Sequence, residues 1–133
     1  MAIGVWEPES KSEEPQPIDL SQLQRFIQLV RDGHLEDLDN HLSGSDRPAG
    51  AFLMKLEQPS WELAEQFSDE EIEHLIRFFT LAEQHISGWQ GGKRSPVIWL
   101  VKILKKRQAF ASELSSWIKS NTDNRYLPYG SVF

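Results

Sequence analysis

The predicted fold is decided by the stretch Ser95-Pro96-Val97-Ile98-Trp99-Leu100-Val101-Lys102-Ile103-Leu104-Lys105-Lys106-Arg107. Ser95 carries the side-chain oxygen that a helix N-cap requires, and Pro96 stands at the first helical position, where a missing N–H costs nothing. No Gly or Pro then interrupts the chain up to about Asn121, which allows a helix of about 24 residues and about 36 Å. Because its first two turns are apolar almost all round, we expect this long C-terminal helix to be the centre of the fold.

Amphipathic patterns on the N-terminal side of this stretch predict shorter helices. Asp19 is suited to cap a first helix whose apolar residues recur at helical spacing over residues 20–30, and Gly33 is suited to ending it. Residues 34–42 predict a second short helix, and residues 49–57 predict a third that Gly50 weakens. The composition of residues 43–48 predicts a loop between them.

The clearest helix start in the chain is Ser68-Asp69-Glu70-Glu71. A Ser at the N-cap and a Glu three residues later form a capping box. Apolar residues follow at helical spacing, and this helix is expected to end near Gly88, where a loop leads into the long helix. No stretch shows the alternation of a half-buried strand. The sequence therefore predicts an all-α fold, a compact single-domain bundle of four to six helices.

Three segments differ in composition. Residues 1–17 are rich in Glu, Pro and Ser and show no periodicity, which predicts a disordered acidic tail. Residues 18–121 are the predicted helical domain. Residues 122–133 combine aromatic residues with Pro and Gly, so we expect an extended aromatic tail that packs on the domain.

The composition restricts the chemistry that this chain of 133 residues can perform. It contains no cysteine, which excludes disulfides and thiolate chemistry and leaves His and carboxylates as the metal ligands. No apolar run is long enough to span a membrane, because Lys102 interrupts the best one. The N-terminal residues lack the basic and apolar regions of a secretory leader. We therefore expect a cytoplasmic protein with no membrane partner.

Charge is distributed unevenly along the chain. Residues 1–90 contain six Lys and Arg against 18 Asp and Glu, a net charge of −12, whereas residues 91–133 contain eight against two, a net charge of +6. The two parts either neutralise each other within the fold or leave a basic face exposed to an acidic partner.

No catalytic, cofactor or metal motif stands out. The loop 88–95 resembles a phosphate-binding loop only superficially, because its spacing is wrong and a helix precedes it. Its Lys93 and Arg94 beside the helix N-terminus remain candidate anion ligands. No nucleophile lies on a recognisable strained turn. We assign no catalytic residue and no cofactor.

The four histidines do not predict a metal centre. Glu71 and His74 have the spacing found in di-iron bundles, but a second copy of that motif is absent. His34 and His41 would lie on one face of a helix, two turns apart. The sequence therefore predicts no metal site, and the histidines are expected to face solvent or to make single hydrogen bonds.

Two groups of residues are the candidate partner-binding sites. The basic group follows the long helix and includes the loop before it, and the aromatic group lies in the C-terminal tail, where Tyr and Arg are residue types that interfaces favour. Their members are Lys93, Arg94, Lys102, Lys105, Lys106, Arg107, Arg125, Tyr126 and Tyr129. Alternatively, Lys105 and Lys106 pair with the acidic helices, and the tail completes the core.

The charge asymmetry and the aromatic excess favour a non-enzymatic interaction or adaptor protein that binds a protein partner or a second copy of itself. An alternative is nucleic-acid binding by the same basic face, against which the pI of about 5.2 counts. A third alternative is a small-ligand protein or enzyme whose pocket would involve Trp61, Trp89 or His74.

Overall fold

A computed structural model describes residues 18–42, 44, 46–124 and 126–129. The predicted acidic tail, residues 1–17, lies outside this part of the chain. The all-α prediction is confirmed, since the described residues form six α-helices and no strand. The helices are α1 (Leu20–Arg31), α2 (Asp46–Leu53), α3 (Gln58–Trp61), α4 (Asp69–His85), α5 (Pro96–Lys106) and α6 (Ser112–Asn121). Short 3₁₀ turns cover Leu35–Asn40, Glu62–Gln66 and Gly92–Arg94.

The prediction of one long C-terminal helix is wrong, because this stretch forms two separate helices, α5 and α6. The longest described helix is α4, with 17 residues, in the middle of the chain. Helix α5 ends at Lys106, and Gln108 has a positive φ of 59°. The N–H of Ala109 donates to the carbonyl of Leu104 at 2.8 Å and that of Gln108 to Lys105 at 3.0 Å. These two bonds form a Schellman motif with Gln where Gly is usual, and so no Gly marks the break in the sequence.

Helix α1 ends in the same motif with the residue that sequence reasoning expects. Gly33 has a φ of 83°, and the N–H of His34 donates to the carbonyl of Leu29 at 3.1 Å. At the other end of α1, the carboxylate of Asp19 accepts the N–H of Ser21 at 3.0 Å. The start and the end of this helix were therefore readable from local chemistry.

Helix α4 lies at the centre of the fold and contacts α1, α5 and α6. Its predicted capping box is present: the hydroxyl of Ser68 accepts the N–H of Glu71 at 3.1 Å, and the Glu71 carboxylate accepts the N–H of Ser68 at 2.9 Å. Its inner face carries buried aromatic rings, of which Phe78 stacks on Phe26 of α1 with centroids 4.2 Å apart. These contacts join the N-terminal and C-terminal halves of the described domain.

Helix α2 begins at Asp46 rather than at residue 49, so the predicted loop 43–48 extends too far. Pro48 is accommodated because first-turn N–H groups have no partner within a helix. Gly50 does more than weaken this helix, since its bare backbone packs against the indole of Trp89, which is fully buried. The indole N–H of Trp89 also donates to the carbonyl of Arg47 at 2.9 Å. A loop tryptophan therefore holds α2 in place.

Only a portion of the described C-terminal segment has the predicted extended conformation. Thr122 has extended backbone angles, but residues 126–129 form a turn. Leu127 and Pro128 are buried, and Tyr129 lies against α6, where its hydroxyl is 3.0 Å from that of Ser115. The turn thereby places the Tyr129 ring beside the break between α5 and α6.

Candidate interaction surface

Internal ion pairs occupy part of the predicted basic group. The amino group of Lys106 lies 2.9 Å from a carboxylate oxygen of Glu65, and the guanidinium of Arg107 lies 2.8 Å from Asp69. Arg107 also donates to the backbone carbonyls of Phe67 and Glu65, at 3.0 and 2.6 Å. Both residues therefore connect the end of α5 to residues 65–69, which include the start of α4, and this accords with the alternative that basic and acidic parts meet within the fold.

The basic residues before α5 lie at the opposite end of that helix. The guanidinium of Arg94 is 2.9 Å from the carboxylate of Glu57. Lys93 is exposed on the same 3₁₀ turn and has no ion pair with any residue that the structure describes. Arg125 lies outside the described residues. The residues of the predicted basic group thus lie at both ends of α5, and only some of them have an ion-pair partner among the described residues. They do not form one continuous stripe.

Three lysines that have no carboxylate partner among the described residues lie beside aromatic rings. The amino group of Lys102 is 5.3 Å from the ring centre of Trp99, and that of Lys105 is 4.8 Å from the ring centre of Tyr129. Lys119 of α6 approaches the same Tyr129 ring, at 5.5 Å. These three lysines make no ion pair with a described carboxylate, whereas Lys106 and Arg107 do. At such distances a cation is attracted to the face of an aromatic ring.

We call the region formed by Lys105, Lys119 and Tyr129 the lysine–tyrosine surface. Lys102 lies outside it, in a separate cleft beside Trp99. The Tyr129 side chain is 48% exposed, although an edge-to-face contact with Phe110 at 6.1 Å supports its ring. An open groove of about 620 Å³ runs along this region. Its lining residues are Lys105, Gln108, Phe110, Ser112, Ser115, Ser116 and Tyr129. Tyr126, the other predicted aromatic site residue, packs against the core and is only partly exposed.

The sequence pattern does not predict Lys119 as a site residue, because a continuous helix places it far from Lys105. The break at Gln108 changes the direction of the chain before α6, and Lys119 of α6 then lies beside the Tyr129 ring. A non-Gly residue in the left-handed conformation leaves little trace in a single sequence.

The residues proposed as pocket-lining lie in different environments. Trp89 is fully buried in the core. Trp61 is also buried but lines a small cleft of about 190 Å³ between α3 and α5, together with Trp99 and Lys102. The His74 ring lies 3.4 Å from the carboxylate of Glu70. The structure therefore does not bring these three residues together in one pocket.

A buried carboxyl group, Glu83, lies near the C-terminal end of α4. The hydroxyl of Ser95 donates to it at 2.5 Å and the N–H of Gly91 at 3.3 Å. Burial raises the pKa of Glu83 to about 7, although hydrogen bonds from Ser95, Gly91 and Asn124 act in the opposite direction. It borders a cleft of about 270 Å³. Because several donors already occupy its oxygens, we interpret Glu83 as a structural anchor for the loop 88–95.

The predicted separation of His34 and His41 is wrong. The two rings stack with centroids 3.7 Å apart, because residues 35–40 form a kinked 3₁₀ turn and not an α-helix. Two turns of α-helix would have separated these side chains by about 10 Å. His85, in contrast, is exposed at the end of α4.

Comparison with known proteins reveals no match: the chain fits no protein-family model, and it resembles no curated protein and no solved structure at a significant level. None of the helices in the described part of the chain combines the length and the apolarity required to span a bilayer.

Proposed function

We propose that this protein is a non-enzymatic interaction protein that binds an acidic segment of a partner protein at the lysine–tyrosine surface. The observation that supports the proposal is the position of Lys105 and Lys119, whose amino groups both lie beside the half-exposed ring of Tyr129. Neither amino group has a carboxylate partner among the described residues, in contrast to Lys106 with its partner Glu65.

The chemistry of this surface suits a partner that carries both carboxylates and apolar groups. A tyrosine ring offers a rigid contact area at a small cost in conformational entropy, and tyrosine is enriched among the residues that contribute most to binding. The neighbouring ammonium groups retain N–H donors that carboxylates can accept, and complementary charge accelerates encounter. Serine hydroxyls along the groove add further donors. An acidic peptide with one aromatic or aliphatic residue would satisfy these groups.

Two features favour an acidic protein segment over a nucleic acid. Among the described residues, this surface contains two lysines, Lys105 and Lys119. The cleft that Lys102 and Lys106 line also contains Glu62 and Glu65. A strand of regularly spaced phosphates would approach those carboxylates, whereas a peptide can place its charges selectively. The net charge of −6 opposes polyanion binding over the whole molecule.

The test uses a fluorescein-labelled acidic peptide with a single Trp, titrated with the purified full chain and followed by fluorescence anisotropy. Lys105→Glu and Lys119→Glu, made singly, are each expected to weaken the affinity by about tenfold or more, which requires only about 1.4 kcal/mol. Lys55→Glu is the matched control, because Lys55 is also exposed, makes no ion pair with a described residue and undergoes the same change of charge. Circular dichroism verifies that each variant is folded.

The results separate the classes of partner. Equal weakening by Lys55→Glu would show that binding follows net charge alone and would contradict the proposed surface. Tighter binding of a single-stranded oligonucleotide than of the peptide would favour the nucleic-acid alternative. A dimer in light scattering that Lys105→Glu dissociates would identify a second copy of the chain as the partner. Absence of peptide binding and of dimerisation would overturn the proposal.

A further inference from the structure

Three potential metal ligands converge between α1 and α2. The Nε2 atom of His41 lies 3.2 Å from one carboxylate oxygen of Asp37, and the Nδ1 atom of His34 lies 3.9 Å from the other. One ligand atom from each of the three residues can be chosen so that all three lie within 4.8 Å of one another. The stacked imidazole rings, 3.7 Å apart, are inclined by only 22°. Two nitrogen donors and one oxygen donor therefore surround one small volume.

The local backbone creates this convergence. Gly33, in its left-handed conformation, ends α1 and turns the chain at His34. Asp37 then has φ −135° and ψ 44°, outside the helical region, which kinks the 3₁₀ turn. The buried side chains of Leu38 and Leu42 hold the turn against the core. A fixed backbone thus presents His34, Asp37 and His41 from a short piece of chain.

The donor set has the chemistry of a transition-metal site. Imidazole nitrogens and a carboxylate suit Zn²⁺ and its neighbours, whereas Ca²⁺ and Mg²⁺ prefer oxygen ligands throughout. In a tetrahedral zinc site with bonds of about 2.0 Å, neighbouring ligand atoms are about 3.3 Å apart. Rotations of these partly exposed side chains, which are 33%, 49% and 30% exposed, can close the remaining distance. Their exposure also leaves room for water at the fourth position.

We propose that His34, Asp37 and His41 form a binding site for one divalent transition-metal ion of the zinc type. The site is independent of the lysine–tyrosine surface and does not rest on the proposed function. The three ligands occupy the pattern His-x₂-Asp-x₃-His, and the kink at Asp37 brings the two imidazoles together, whereas a regular α-helix would place them two turns apart.

The test is calorimetric titration of the full chain with Zn²⁺, after removal of any histidine tag. Wild-type protein is expected to bind one equivalent with a Kd of about 10 μM or tighter. His34→Ala and His41→Ala are each expected to weaken binding by at least about tenfold, the lower limit found even for the loss of an outer-shell partner. His85→Ala, which removes an exposed histidine elsewhere, is the control. Co²⁺ provides a second readout, because its visible spectrum reports the coordination geometry.

The proposal has clear negative outcomes. Absence of saturable Zn²⁺ binding would overturn it, and so would an unchanged affinity in both His34→Ala and His41→Ala. Equal losses in His85→Ala would indicate adventitious surface binding and would count against the site. If the alanine variants fail to fold by circular dichroism, His34→Gln and His41→Asn, which retain polar side chains of similar size, provide the comparison.

Discussion

The hydroxyl of Ser95 donates to the carboxylate of Glu83 at 2.5 Å while it accepts the N–H of Val97 at 3.2 Å. The residue that caps α5 is therefore itself held by the last turns of α4. The amide of Gln90 donates to the carbonyls of Glu83 and Ile86, at 2.7 and 3.0 Å, and fixes the same loop. The hydrogen bond between Ser95 and Glu83 therefore fixes the start of α5 relative to α4, and Glu83 is the residue that connects the two helices.

We expect the stability of the protein to fall as pH rises through the range in which Glu83 ionises. Burial raises its pKa from 4.5 to about 7, so between these values the folded state holds a proton that the unfolded state releases. The stabilisation is fully present below pH 4.5 and is lost as pH rises through about 7, at a cost of up to about 3 kcal/mol. Glu83→Gln imitates the protonated group and is expected to remove this dependence.

The measurement is urea unfolding of wild type and Glu83→Gln across that pH range. As pH increases, the free energy of unfolding of wild type should fall relative to that of Glu83→Gln. Glu113→Gln, at an exposed position in α6, is the control and should not show the change. A difference that stays constant with pH would contradict the assignment to Glu83.

Gly50→Ala is expected to destabilise the protein by about 2 kcal/mol or more. A Cβ at this position would overlap the indole of Trp89, and overpacking of a dense core costs about 1–3 kcal/mol. Helix propensity alone predicts the opposite sign, since Ala is favoured over Gly by about 1 kcal/mol inside a helix. Thermal unfolding of the variant shows whether the overlap with Trp89 or the helix propensity of Ala has the larger effect. Gly44→Ala, where a Cβ would meet nothing within 4 Å, should be nearly neutral.

Gln108→Gly is expected to stabilise the protein by roughly 1 kcal/mol. Gln108 adopts a φ of 59°, a conformation that costs an L-residue about 1–2 kcal/mol but costs Gly little. Gly33→Ala forces the same penalty on the equivalent position after α1 and should destabilise by a similar amount. Denaturant unfolding measures both. If Gln108→Gly lowers stability, the Schellman geometry after α5 is not the native one.

Arg107→Ala is expected to destabilise the protein by about 1–2 kcal/mol, because Arg107 donates to two backbone carbonyls as well as to Asp69. Lys106→Ala should change stability by no more than about 0.5 kcal/mol, since its pair with Glu65 is exposed to solvent on both sides. Chemical denaturation of the two variants tests this contrast. Equal effects would mean that the carbonyl contacts of Arg107 contribute nothing.

The sequence predicts the features of this fold that depend on local chemistry. The capping box at Ser68 and Glu71 and the helix end at Gly33 require particular residue types at fixed spacing, and both are present. The break at Gln108 was not predictable in this way, because a Schellman motif without Gly has no characteristic residue. The packing of Trp89 on Gly50 joins residues that are far apart in the chain, so no local pattern reveals it.

The candidate surface was predicted less completely than the fold. Residue type alone predicts Lys105 and Tyr129, but the pairing of Lys106 and Arg107 with acidic residues depends on how the end of α5 meets residues 65–69. Helical spacing predicts that His34 and His41 share a face but lie two turns apart, whereas in the structure their rings are stacked. In both cases the missing information is the path of the backbone between the residues.

The break between α5 and α6 has a consequence for how the surface can be altered. In a straight helix, Lys105 and Lys119 would be about 21 Å apart along the axis, yet both amino groups lie within 5.5 Å of one ring centre. Their proximity depends on the break between α5 and α6 at residues 107–111, and not on either lysine itself. A substitution or an insertion that restored helical continuity there would separate the two charges and abolish the surface while leaving each of its side chains intact.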